Sequence, residues 1–199
     1  MPSPVILASS SDIRAQLLRN AGVAFDIVPA RVDEAAIKAS LEAEEARPRD
    51  VADTLAEFKA RKVSEKHPGA IVLGCDQVLK LRGSVLSKAP DVDAARAQLR
   101  QLRGERHALL SAVVSYRDGA PLWRFVGEAR LTMHRFSDQF LENYLSRNWD
   151  SVRYSVGCYK LEEEGVRLFQ RVEGDYFTIL GLPLLEVLAH LSAQGVLQE

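Results

Sequence analysis

Apolar and polar positions along the chain follow two rhythms, and the switches between them mark out the elements. Val5 to Ala8 is an apolar run that reads as a short strand. Ser9-Ser10-Ser11 interrupts it, and in "DIRAQLLRNAG" Ile13, Leu17 and Leu18 fall at helical spacing, with Gly22 placed to stop the helix. "FDIV" reads as a second strand and "AAIKASLEAEEA" as a helix with few breakers. Pro48 suits the first turn of a further helix, on which Val51, Leu55 and Phe58 mark one apolar face before Pro68-Gly69 ends it. "DVDAARAQLRQLRG" predicts another helix, capped by Asp91 or Asp93, with Leu99 and Leu102 inward and Gly104 as its stop. "HALLSAVVSY", the turn "RDGA" and "PLWRFVGEARLTMHRF" predict a long β-hairpin, and "SDQFLENYLSRN" a helix capped by Ser137. "GVRLFQRVEGDYFTIL" suggests two more strands, and "LPLLEVLAHLSAQG" a last helix between Pro183 and Gly195. There is no internal repeat, low-complexity tract or linker-like stretch, so residues 1–199 read as a single α/β domain.

One segment breaks the pattern. In "AIVLGCDQVLKLRG", Ala70 to Leu73 reads as a strand entering a core, Val78 to Leu81 as another leaving it, and Arg82-Gly83 as a turn. Asp76 sits between them, where apolar packing is expected. A buried carboxylate is costly unless a cation, a metal or several hydrogen-bond donors meet it. Asp76 is therefore either an awkward turn residue or the centre of a site.

Composition narrows the class. Hydrophobic residues make up 47% of the 199, enough for a substantial core. The 26 basic and 27 acidic residues give a net charge of -1, which offers no support for a general nucleic-acid binder or an anionic-membrane binder. Cys75 and Cys158 lie far apart and form no paired-cysteine metal motif, and two free thiols in a reducing cytosol is the simpler reading. "MPSPVILASSSD" lacks a basic n-region and does not read as a signal peptide, and no apolar stretch reaches a membrane span. The expectation is a soluble, cytoplasmic protein.

Several familiar sites are missing. There is no G-x-x-x-x-G-K-[ST] loop, no G-x-G-x-x-G and no G-x-S-x-G. His67, His107, His134 and His190 are scattered without metal-ligand spacing and read as surface or strand residues. Four polar features remain. "LASSSDIR" is a serine-rich turn before a helix, where hydroxyls, free N–H groups and the helix dipole favour an anion, with Arg14 one turn in. Asp33-Glu34 follows a strand and offers oxygen ligands for a divalent cation. Lys59 lies beside Phe58 at the edge of the apolar face, and Lys88 lies in the loop before Pro90. Each alone has an ordinary explanation: Ser11 caps the helix, Arg14 and the acids are solvated, Lys59 snorkels. Together they form a kit for phosphate chemistry, which needs positioning and charge neutralisation around a placed nucleophile.

The ordered set of motifs resembles the Maf family, also called Maf-like or septum-formation-inhibitor proteins, which are nucleoside triphosphate pyrophosphatases. That family opens with L-A-S-x-S-P-R-R-x-x-L-L, here "LASSSDIRAQLL", followed by an acidic pair, here Asp33-Glu34, and by L-A-x-x-K-A, here "LAEFKA". G-[AS]-D-[TQ] is matched by "GCDQ", G-K-P in part by "SKAP", and G-L-P-L by "GLPLLEVL". The matches run in order from Leu7 to Leu188. The resemblance implies a mixed, twisted β-sheet flanked by helices, with two lobes around a deep cleft as in ITPase-like folds, and a homodimer. It also implies hydrolysis of a nucleoside triphosphate to monophosphate and pyrophosphate with a divalent cation, Mg²⁺ or Mn²⁺, and no nucleic-acid or membrane partner. By position, Asp76 matches the general base that activates water for attack at the α-phosphorus, or alternatively a metal ligand. Ser9, Ser11 and Arg14 match the phosphate-binding turn, Glu34 the acid associated with metal or substrate, and Lys59 and Lys88 the cations that offset triphosphate charge.

The resemblance extends to subclass. Members acting on dTTP and UTP typically show A-D-T, and those similar to 7-methyl-GTP enzymes show S-D-Q; this chain has Cys75-Asp76-Gln77. The second group also carries G-S-F-K-x-E, matched by "GCYKLE", which places Glu162 at the specificity position with Glu163 and Glu164 beside it. A carboxylate facing a methylated, cationic guanine combines opposite charge with N–H acceptance, and Tyr159 is a candidate to stack on the base. The departures are Asp12-Ile13-Arg14 in place of Pro-Arg-Arg, Ser111-Ala112-Val113 in place of T-G-V, and Ala89 within G-K-P. In the 7-methyl-GTP group the first arginine is commonly Trp, so Ile13 leaves the dTTP/UTP pattern without completing the other. The alternatives are therefore a dTTP/UTP-type pyrophosphatase and a catalytically silent nucleotide-binding division regulator.

Overall fold

The computed structural model describes residues 4–197. In chain order the elements are strand β1 (Val5–Ala8), helix α1 (Asp12–Asn20), β2 (Asp26–Ile27), α2 (Glu34–Ala43), α3 (Pro48–Ser64), β3 (Ile71–Leu81) and β4 (Ser84–Leu86). They continue with α4 (Val92–Leu102), β5 (Arg106–Arg117), β6 (Ala120–Met133), α5 (Asp138–Val152), β7 (Phe169–Glu173), α6 (Tyr176–Ile179) and α7 (Leu184–Ala193). Single-turn 3₁₀ helices at Val156–Cys158 and Glu164–Leu168 join α5 to β7. The seven strands form one mixed sheet in the order β2-β1-β3-β5-β6-β7, with β4 paired to β3 off that path. β1 runs parallel to β2 and β3, and the β3–β5, β5–β6 and β6–β7 pairs are antiparallel.

The helix starts follow local chemistry: the side chains of Asp33, Asp91, Ser137 and Asp175 each accept a backbone N–H in the first turn of the helix they precede. Asp91, rather than Asp93, is the cap of α4. Two expectations about strands fail. The segment read as two strands near residue 170 contains one strand, β7, and then α6, because Asp175 caps a helical turn where a second strand would begin. Asp76 does not lie at a turn between two strands either. It stands inside the single eleven-residue strand β3, and the turn comes later, at Arg82-Gly83, where φ is 51° and 94°.

β3 stays continuous across Gly74, Asp76 and Gln77 because each face of the strand meets a different partner. On one face, Val78 packs with Ala52, Leu55, Ala56 and Ala60 of α3. On the other, Leu73 and Cys75 pack with α1 and α7, whereas Leu79 and Leu81 join a second cluster built on α4 and α5. Gln77 falls at the boundary between those two clusters. Gly74 serves close approach: a Cβ there would lie 2.2 Å from the Ala56 carbonyl oxygen and 2.8 Å from the Ala60 Cβ. Ala52, Ala56 and Ala60 on the helix and Gly74 on the strand let α3 lie unusually near the sheet. The buried stripe of α3 is therefore Val51, Ala52, Leu55, Ala56, Lys59, Ala60 and Val63, with Lys59 inside it. Phe58, expected inward, is 47% exposed.

Candidate active site

The site begins as a gap in hydrogen bonding along one edge of β3. On that edge β1 pairs with Ile71 to Gly74 and β4 pairs with Leu79 to Leu81. Between them Cys75 to Val78 meet no strand, and the serine-rich turn that follows β1 arrives at this gap. Ligands in open α/β sheets commonly bind beyond the carboxyl ends of such strands. A cleft of about 440 Å³ opens here, lined by the turn, α1, α2, the middle of β3, the Lys88 loop and the segment after α5.

Arg14 bridges the gap. Its Nε donates to the Gly181 carbonyl at 2.8 Å, and one terminal nitrogen donates to Ser9 Oγ at 3.1 Å and to the Cys75 carbonyl at 3.2 Å. The guanidinium is held by neutral acceptors, so its charge is left for a ligand. Ser9 Oγ also accepts the Ser11 N–H at 3.3 Å. Ser11 precedes α1 but makes no side-chain capping bond, so the expected hydroxyl cap is absent and the first N–H groups of the helix remain open. Asp12 is exposed at the cleft lip, and Ile13 lines the cleft.

Lys59 is the hub. Far from snorkelling, it is 8% exposed, and its Nζ lies 2.7 Å from both Asp76 Oδ1 and Glu34 Oε1. This contact exists because α3 sits so close to β3 at Gly74. Asp76 is 6% exposed, and its Oδ2 is buried without a partner. For Glu34, partial burial raises the carboxyl pKa, but the hydrogen bond and charge of Lys59, helped by Lys38 and Lys88, outweigh it and hold the group below its ordinary 4.5. Desolvation in the cleft lowers Lys88 from its ordinary 10.5, opposed by the charge of Glu34. Arg14, Lys38 and Lys88 all line the cleft and make no ion pair among the described residues.

Gln77 lines the cleft with its amide fixed: Nε2 donates to Ser111 Oγ at 2.9 Å and to the carbonyls of Ile179 and Thr178 at 2.9 and 3.2 Å. The three consecutive glutamates separate cleanly. Glu163 bonds Lys160 and Ser151, and Glu164 pairs with Arg147, Arg167 and Asn148. Glu162 lines the cleft and has no ion pair among the described residues. Tyr159 is not a free stacking ring. It is 4% exposed, its hydroxyl lies 2.8 Å from His107 Nε2, and its ring meets Phe169 edge-on at 4.8 Å. His107 is a strand residue, as read, and is buried on β5, whereas His190 is neither surface nor strand: it is buried on a helix with Nε2 2.9 Å from Ser115 Oγ. Cys75 and Cys158 are free and buried, and burial pushes both thiols up to about 11.

Sequence reasoning missed Lys38 and Tyr154. Lys38 carried a signal, standing one helical turn after Glu34. Tyr154 carried none, because only the fold brings it to the cleft.

Fold and site together define a mixed α/β protein whose cleft presents unpaired cations, open helix N–H groups and a lysine-bridged pair of carboxylates, a set suited to a polyanion. The family model described as Maf-like protein matches residues 4–194, and the chain belongs to that family. It is 62% identical to a nucleoside triphosphate pyrophosphatase of Roseobacter denitrificans, over 98% of each chain. It is 54% identical to a protein of the same name from Caulobacter vibrioides, again over 98% of each. A 7-methyl-GTP pyrophosphatase of Brucella abortus is 48% identical over 96% of each. A solved nucleoside-triphosphatase, or dITP/XTP pyrophosphatase, from Mycobacterium abscessus is 15% identical, with a TM-score of 0.43 over 96% of this chain and 94% of that one, too loose a likeness to carry any argument.

Proposed function

We propose that this protein is a nucleoside triphosphate pyrophosphatase, a hydrolase acting on acid anhydrides, and that it prefers a 7-methyl-GTP-like nucleotide. The observation that carries the chemistry is Asp76: a buried carboxylate with one oxygen held by Lys59 and the other unpartnered, opening on a cleft with cations to spare. Ser9, Ser11, Arg14 and the start of α1 bind phosphate oxygens, and Lys88 offsets the charge of the leaving pyrophosphate. Lys59 orients Asp76 through its hydrogen bond to Oδ1. Asp76 takes a proton from water through Oδ2 as that water attacks the α-phosphorus. The bond from the α-phosphorus to its bridging oxygen breaks, and pyrophosphate leaves. Such base assistance contributes about 10²–10⁴-fold to rate.

Glu34, joined by Asp76 in the alternative in which Asp76 is a ligand and not the base, would hold a divalent cation, Mg²⁺ or Mn²⁺. Two carboxylates suit a hard ion that takes its remaining ligands from water and substrate phosphates. The orphaned Asp76 Oδ2 fits this donor set, although no group of three or more His, Cys, Asp or Glu gathers among the described residues. When bound, the cation neutralises phosphate charge.

The preference rests on Glu162, left free while its neighbours are paired, on Gln77, and on the name borne by the Brucella relative. The same reading includes one domain over 1–199, a homodimer, a cytoplasmic location, and no nucleic-acid or membrane partner. In its support, net charge is -1, and no helix among the described residues is long and apolar enough to cross a membrane.

The test is pyrophosphate release across ordinary and methylated triphosphates, with chelator and with added Mg²⁺ or Mn²⁺. Turnover should require the metal, and Asp76→Asn should lose at least about 100-fold in kcat while remaining folded. Full turnover in that variant refutes the mechanism, and recovery of its turnover at high Mn²⁺ would make Asp76 a ligand rather than a base. A preference for dTTP or UTP overturns the specificity. Binding without hydrolysis under any metal favours a silent regulator.

A further inference from the structure

The cleft lacks an aromatic platform where the sequence pointed to one. Tyr159 is locked into the core through His107 and Phe169, and Ile13, which lines the cleft, has no π face. The largest exposed side chain on the cleft wall is instead Tyr154, just after α5 and 69% exposed. An aromatic ring left this open contributes little to the core. It is nevertheless braced: the Arg153 guanidinium lies 5.1 Å from its centroid and 5.9 Å from that of Trp149, so Arg153 is shared between the two rings. A ring held in place before binding loses less freedom when a ligand arrives. On the same wall are Glu162, with no ion pair among the described residues, and Lys160, fixed by Ser151 at 2.7 Å and Glu163 at 3.0 Å. The phosphate-handling groups Ser9, Arg14 and Lys59 line the same cleft from other elements, on the turn after β1, on α1 and on α3. A nucleotide with its triphosphate against those groups leaves the segment that bears Tyr154 and Glu162 for its base.

We propose that Tyr154 is a specificity-determining residue: it stacks on the base of the bound nucleotide and, with Glu162, selects a cationic purine such as 7-methylguanine over its neutral parent. The inference rests on the nucleotide-hydrolase reading. A positively charged ring gains more from an aromatic face than a neutral one does, and the Glu162 carboxylate adds opposite charge at the same place. An aromatic side chain stacks on any base to some degree, so Tyr154 favours the cationic ring by the stronger attraction to its face and Glu162 sharpens the choice.

The test uses the full chain and two readouts. The first is equilibrium binding of 7-methyl-GMP and GMP, followed by quenching of 7-methylguanine fluorescence for the former and by calorimetry for both. The second is kcat and KM for 7-methyl-GTP and GTP. Tyr154→Ala should weaken 7-methyl-GMP binding by about tenfold or more, by the usual worth of a base–aromatic stack, and should weaken GMP binding less. KM should rise in step with kcat nearly unchanged. Tyr154→Phe and Tyr154→Trp should bind within about threefold of the parent, because the ring and not the hydroxyl is required. Equal binding by the alanine variant, or equal losses for both nucleotides, overturns the proposal while leaving pyrophosphate release by the parent protein untouched. A parent protein that releases no pyrophosphate from any triphosphate refutes the hydrolase reading, and the binding ratios still decide for or against stacking.

Discussion

Lys59→Met removes the ammonium and keeps most of the stem that packs in the α3 stripe, so little cavity is created. What it exposes is electrostatic. Lys59 Nζ lies 2.7 Å from Asp76 Oδ1, and Asp76 is 6% exposed with Oδ2 already unpartnered. Losing the cation strands that carboxylate. Breaking a buried pair from one side costs about 3–5 kcal/mol, a large part of the roughly 5–15 kcal/mol that stabilises a domain. The Glu34 contact adds little, because the Glu34 side chain is 42% exposed and solvates on release. At about 2–4 °C per kcal/mol for a chain of this size, the midpoint should fall by roughly 6–20 °C. The decisive comparison is the double variant Lys59→Met/Asp76→Asn, in which the stranded charge is gone. It should recover most of the loss, so that the two substitutions interact strongly rather than add. Urea and thermal unfolding at pH 7 measure all three variants. If the double variant is as unstable as Lys59→Met alone, the penalty lies in packing, and the account of Lys59 as the partner that makes Asp76 tolerable is wrong.

Two further outcomes follow from the fold. Gly74→Ala places a Cβ 2.2 Å from the Ala56 carbonyl oxygen, so α3 must move off the sheet; a loss of about 3 kcal/mol is expected in urea unfolding, and turnover should fall with it because Lys59 no longer reaches Asp76. Burial pushes His107 down to about 4 from its ordinary 6.5, so the unfolded chain binds a proton there before the folded one does. Stability should therefore be fully present above about pH 6.5 and decline as pH falls toward 4, by up to about 3 kcal/mol. His107→Gln should flatten the unfolding free energy across that window, and an unchanged slope would remove His107 as its cause.

Residue order alone determined a good deal here. The caps Asp91 and Ser137, the stops at Gly22, Gly104 and Gly195, the long hairpin and the mixed α/β class follow from patterns that a few consecutive residues impose on themselves. The ordered motifs likewise named the family and pointed to Asp76, Glu34, Lys59 and Lys88, because the resemblance reads residue types in sequence without needing their distances. The tertiary structure decided why those residues belong together. Lys59 looked like an edge lysine because Phe58 looked buried; which of the two turns inward depends on the glycine and alanines that bring α3 against β3, context between Ala52 and Gly74 that periodicity does not weigh. Asp76 looked like a turn residue because a strand interior rarely hosts an acid, and only the cation from a neighbouring helix and the unpaired edge between β1 and β4 make it tolerable. Tyr154 and Tyr159 are five positions apart and chemically identical, yet one is core and the other faces the cleft. Burial is a property of the packed molecule, set by which surfaces meet, and a linear pattern records it only where neighbours in sequence are also neighbours in space.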